Sequence, residues 1–142
     1  MYKPTSTDKT ITLCGKIFKI YNLQLFDFNE DIDITSDSGV YCFTKYYNGK
    51  YSKDDKHFCV RHNLLYVGKA DGKEGLRGRL TKFHDKFNQL KKAKCSHLCV
   101  YVCQDGEDPK KIESEILSEF QFTYNDLENT ENTNKPFNVA ED

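Results

Sequence analysis

Residues 64–80 read Leu-Leu-Tyr-Val-Gly-Lys-Ala-Asp-Gly-Lys-Glu-Gly-Leu-Arg-Gly-Arg-Leu. Leu64-Leu65-Tyr66-Val67 has strand composition and Gly68 ends it. Asp71-Gly72 and Gly75 then lead into a helical pattern. Leu76, Leu80, Phe83, Phe87 and Leu90 recur at spacings of 4, 3, 4 and 3, an apolar stripe of α-helical period. Upstream, Val40-Tyr41-Cys42-Phe43-Thr44 predicts a partner strand, so the two should form an antiparallel hairpin. Its long connection, residues 46–62, contains Asn48-Gly49 as a turn signal.

Downstream, residues 97–103 read as a buried strand. Asp108-Pro109 predicts a helix start, an N-cap followed by proline at the first helical position, with the helix running to about Phe122. Residues 11–21 alternate apolar and polar near their end and predict one further strand. The order strand, strand, helix, strand, helix predicts an α/β (α+β) sandwich. A small three-stranded antiparallel sheet is expected, flanked by helices, with an N-terminal extension. Domain organisation follows as a 1–38 extension packed on the core, a 39–138 domain and a 139–142 tail.

The chain has 142 residues and a net charge of −1, with 37% hydrophobic and 30% charged side chains. That composition excludes a disordered acidic or basic tail protein. No apolar run approaches the roughly 20 residues of a membrane span, and residues 1–12 lack a signal-peptide core. Six cysteines spread over this length read as reduced thiols in a cytoplasmic protein. Cys95, Cys99 and Cys103 lie four apart on a strand, about 13 Å per step. That is too far for one tetrahedral ion, so they read as small buried hydrophobes rather than a zinc site.

Charge is unevenly distributed. Residues 61–94 hold ten Lys and Arg against three acids, whereas residues 105–142 hold three against eleven. The +7 segment fits a polyanion-facing surface or a solvated lysine-rich helix. On the second helix Glu113 falls inside the stripe formed by Ile112, Ile116 and Phe120. A carboxylate there needs a compensating cation or metal, either in a buried ion pair or in a functional site. On the first helix Arg79 borders the apolar stripe on one side. Arg77 and His84 share the other border.

Gly39-Val40-Tyr41, Tyr66-Val67-Gly68, Leu76-Arg77-Gly78-Arg79-Leu80, Glu113 and Pro136-Phe137-Asn138, in this order, resemble the GIY-YIG nuclease superfamily. The resemblance spans residues 39–138. It implies hydrolysis of DNA phosphodiester bonds with a divalent metal, Mg²⁺ or Mn²⁺. By that resemblance Tyr41 and Tyr66 position or deprotonate the attacking water, Arg79 contacts the scissile phosphate and Glu113 holds the metal. Asn138 would fix the C-terminal segment, with Lys69 and His84 in support. A rival register gives the phosphate to Arg77 with His84 as base. Lys50, Lys53, Arg61, Arg77, Lys82 and Lys86 would contact the nucleic-acid backbone. With no second domain to read sequence, a homodimer or a partner protein would supply specificity. The alternative is a catalytically silent nucleic-acid-binding or protein-interaction module on the same fold.

Overall fold

A computed structural model describes residues 5–23, 34–46, 62–81, 87–120, 122, 124 and 125. The elements are β1 (Thr5–Leu13), β2 (Lys16–Asn22), β3 (Gly39–Tyr46), β4 (His62–Ala70), α1 (Gly75–Thr81), α2 (Phe87–Lys92), β5 (His97–Val102) and α3 (Pro109–Glu119). The strands form one antiparallel sheet in the order β1-β2-β5-β3-β4.

This corrects the expected three-stranded sheet. Strands β5, β3 and β4 are joined by a hairpin, β1–β2, which pairs onto β5 through Lys19↔Val100 and Ile20↔Cys99. The stretch expected to be a single strand over 11–21 is broken by Cys14-Gly15, both at positive φ (51° and 76°), the backbone of a tight hairpin turn. The buried residues explain the break. Ile11 and Leu13 face the core, and so do Phe18 and Ile20, yet the step from 13 to 18 is odd. One continuous strand would send the second pair to the opposite face.

The residues of β5, His97-Leu98-Cys99-Val100-Tyr101-Val102, are largely buried, as suits a central strand paired on both sides and packed on both faces. On one face α3 packs Ile112, Ile116 and Leu117 against Val40, Cys42, Val67, Cys99 and the β1–β2 hairpin. On the other, Leu76 and Leu80 of α1 and Leu90 of α2 pack against Tyr41, Phe43, Leu65, Leu98 and Val100. The fold is therefore helix, sheet, helix. Each fully buried Leu of these layers contributes about 1.5–3 kcal/mol from burial. Cys95 and Cys99 are buried, and burial pushes both thiols up, Cys99 to about 12.

Helix α1 starts at Gly75 with φ +55°, where a Cβ would overlap the carbonyl oxygens of Ser36 and Asp37. That contact lets the Leu76 N–H donate to Asp37 O and the Arg77 N–H to Thr35 O, both at 3.0 Å. Of the apolar stripe predicted over 76–90, Leu76 and Leu80 are buried on α1 and Leu90 on α2, with residues 82–86 outside the described set. Asp108 caps α3 by accepting from the Lys110 N–H at 3.0 Å, with Pro109 in the first turn. The helix ends at Glu119, short of the expected Phe122. Before it, the Glu107 carboxylate accepts from Lys16 Nζ and Tyr101 Oη, each at 2.6 Å, tying the β1–β2 hairpin to the turn that enters α3. No helix among the described residues is long and apolar enough to cross a membrane.

Candidate active site

Tyr41 lies on β3 and pairs with Gly68 across the β3–β4 ladder. Phe43 pairs with Tyr66 but Thr44 pairs with Leu64, so β4 carries one extra residue, Leu65. This bulge shifts the alternation. Leu64 and Val67 face the α3 side, while Leu65 and Tyr66 both face the α1 side. Tyr66 itself lies in the regular part of the ladder, two residues from Gly68, and so shares the Tyr41 face, with ring centroids 6.4 Å apart. Gly68 leaves the space that the Tyr41 ring fills, since a Cβ there would overlap Cζ and Oη of the phenol. Tyr41 therefore reaches across β4, the last strand of the sheet.

Arg79 comes from α1 on the Tyr41 face and hydrogen-bonds to the Tyr41 hydroxyl. It sits at the border of the apolar stripe, with Leu76 and Leu80 holding the helix against the sheet. Glu113 comes from α3, packed on the opposite face, and its half-buried carboxylate acts on Tyr41 and on Cys42. Burial pushes the Tyr41 phenol well above its ordinary range; the Arg79 charge and hydrogen bond oppose this, and Tyr66 and Glu113 reinforce it. Tyr41 is thus a protonated phenol at neutral pH, suited to orient a nucleophile rather than to deprotonate it unaided. Tyr66 and Arg79 thus lie against Tyr41 on one face, while Glu113 stands on α3 across the sheet, near enough for its charge to act on the same phenol.

The other sequence candidates divide. Lys69 donates to Asp71 at 3.0 Å and lines an open cleft of about 500 Å³ beside Arg79. The Arg77 Nε donates to Ile34 O at 2.8 Å, which ties α1 to the segment before β3. Lys50, Lys53, Arg61, Lys82, His84, Lys86 and Asn138 lie outside the described residues.

The sequence reading missed Asn125. Its amide is buried and bonds both backbone groups of Val67, while the Tyr124 N–H donates to Leu65 O at 2.8 Å. Residues 124 and 125 thereby cover the outer edge of β4 where Tyr66 and Gly68 lie, satisfying backbone groups that an edge strand would expose. The one local signal was an Asn three residues after Phe122, in a chain that then turns polar.

Among the described residues no group of three His, Cys, Asp or Glu side chains is arranged to hold a metal. The donor set at the site is one carboxylate, Glu113. It suits a hydrated Mg²⁺ or Mn²⁺ that keeps most of its waters and takes further oxygens from a substrate phosphate. It does not suit a structural zinc. The chain matches no known family model, and no characterised protein or solved structure resembles it significantly.

Proposed function

We propose that this chain is a metal-dependent endonuclease of the GIY-YIG type, hydrolysing DNA phosphodiester bonds in the cytoplasm. One observation carries the reading. Tyr66 and Arg79 lie against the Tyr41 phenol and the Glu113 charge reaches it, though the four residues are spread over 73 positions of sequence. A hydrogen-bonding phenol pair, a guanidinium and a carboxylate are the groups that in-line phosphodiester hydrolysis needs.

In this reading Tyr41 and Tyr66 orient the attacking water, and Arg79 compensates the charge that grows on the phosphate oxygens in the transition state. Arg79 already sits against a polar oxygen, so little reorganisation is required when a phosphate arrives. Glu113 would hold Mg²⁺ or Mn²⁺, which when bound supplies positive charge to the phosphate and the leaving oxygen. The excess of lysine and arginine over 61–94 attracts the polyanion without reading its sequence. A homodimer or a partner protein would supply specificity.

The test is nicking of supercoiled plasmid DNA in Mg²⁺ or Mn²⁺ and in EDTA. Cleavage that requires the ion and is lost in Glu113→Ala supports the reading. DNA binding with no cleavage in either ion would favour the silent-module alternative.

A further inference from the structure

The cleft beside Arg79 has a feature that the hydrolytic roles do not use. Its lining includes Lys69, Asp71, Lys73, Glu74, Gly78 and Arg79. Within it the Asp71 carboxylate accepts from Lys69 Nζ at 3.0 Å, and both side chains remain partly open to solvent, 32% for Lys69 and 53% for Asp71. Lys110, exposed on the first turn of α3, acts on the same carboxylate. It precedes Glu113 by three residues, so the two side chains are neighbours on α3. Lys69 from the end of β4 thus holds one anion in direct contact, with the Lys110 charge farther off, next to the guanidinium that faces Tyr41. The Lys69 hydrogen bond, followed by its charge, holds the Asp71 carboxyl below its ordinary range, with a smaller contribution from Lys110.

We propose that Asp71 occupies the seat of a DNA backbone phosphate flanking the scissile one, and that DNA binding displaces it from Lys69. The inference rests on the nuclease reading, and it adds a subsite and an internal competitor to it. A carboxylate and a phosphate offer the same kind of acceptor, an anionic oxygen that takes charge-assisted bonds from ammonium groups. An exposed Lys–Asp pair is weak in water. A strand phosphate therefore displaces it readily, and the carboxylate raises the threshold for weakly held polyanions. Asp71 is in this account a selectivity residue, and Lys110 a positioning residue for the strand.

The experiment uses the full chain in a Glu113→Gln background, which keeps the duplex uncut, and follows fluorescence anisotropy of a labelled DNA duplex across a salt series. Asp71→Asn should tighten binding about three- to tenfold at low salt. It should also steepen the log Kd against log salt line by about 1, because no freed carboxylate then takes up a cation as the phosphate releases one. Lys110→Ala should weaken binding about threefold. Asp8→Asn removes an exposed acid on β1, four strands or roughly 19 Å from β4, and should change affinity by less than twofold. Asp71→Asn binding no tighter than the background, or Asp8→Asn tightening as much, would overturn the proposal. Absence of DNA binding by any variant would overturn it together with the nuclease reading. If the Asp71→Asn effect appears but the wild-type chain never nicks plasmid DNA, the subsite stands and the hydrolytic reading falls.

Discussion

The side chain of Asn125 reads both backbone groups of Val67: Oδ1 accepts the Val67 N–H and Nδ2 donates to the Val67 carbonyl, each at 2.9 Å. Val67 stands between Tyr66 and Gly68, so this pair of bonds holds the strand that sets both phenols. Asn125→Ala would leave two buried backbone groups without their partner, at about 1–3 kcal/mol each. A loss of about 2–4 kcal/mol in urea unfolding is expected. Asn125→Asp keeps an acceptor for the N–H but faces the Val67 carbonyl with a second oxygen, and should rescue little. Wild-type stability in both variants would show that the β4 edge is held by other contacts.

Gly68→Ala places a methyl group where the Tyr41 ring lies. Overpacking of this kind costs about 1–3 kcal/mol and shifts the ring. Because about 1 Å of misplacement can cost roughly a hundredfold in rate, nicking activity should fall by about that factor in a chain that remains folded. The check is activity beside a thermal melt. Activity within a few-fold of wild type would mean that the Tyr41 position is not used in the reaction.

Arg79 and Arg77 lie two residues apart on α1 and make different contacts. Arg79 faces the Tyr41 hydroxyl, whereas Arg77 Nε is engaged with Ile34 O. Arg79→Ala should remove most cleavage, about a hundredfold or more, with the fold intact. Arg77→Ala should leave turnover within about tenfold and lower stability by about 1 kcal/mol, the net worth of one hydrogen bond. Single-turnover kinetics and chemical denaturation of the two variants separate the roles. The opposite pattern, with Arg79→Ala active and Arg77→Ala dead, would restore the rival register.

His97 is buried on β5, its Nδ1 2.7 Å from Ser96 Oγ, and burial lowers its imidazole from 6.5 to about 4. Between those values the unfolded chain binds a proton that the folded chain does not. Stability should therefore fall as pH drops from about 6.5 toward 4 and lose nothing further from this group below that. The full effect is worth about 3 kcal/mol. Unfolding free energies measured from pH 7 to 5 should show this slope in the wild type and a flatter limb in His97→Gln. Equal slopes would assign the titration elsewhere.

Much of the architecture was legible because it is written in short-range physics. The 39–44 and 64–67 strands, the Asp108-Pro109 cap and the apolar stripe of 76–90 each follow from side-chain period or backbone preference within a few residues. Arg79 and Glu113 were marked by their angle to an apolar stripe, since a charge beside buried leucines must have an answering group. The β1–β2 hairpin was also written locally, in the odd step between Leu13 and Phe18, although an alternating stretch reads as one strand until its phase is checked.

What only the tertiary structure decided depends on contacts made across the chain. The extra residue at Leu65 turns Leu64 toward α3 and leaves Leu65 on the Tyr66 face, and that register exists only when β4 pairs with β3. The Arg77 guanidinium meets the Ile34 carbonyl, 43 residues earlier, and the amide of Asn125 bonds the backbone of Val67, 58 residues away. Periodicity and propensity carry no information over such separations. A side chain's role there is settled by which backbone groups the folded chain leaves in need of a partner.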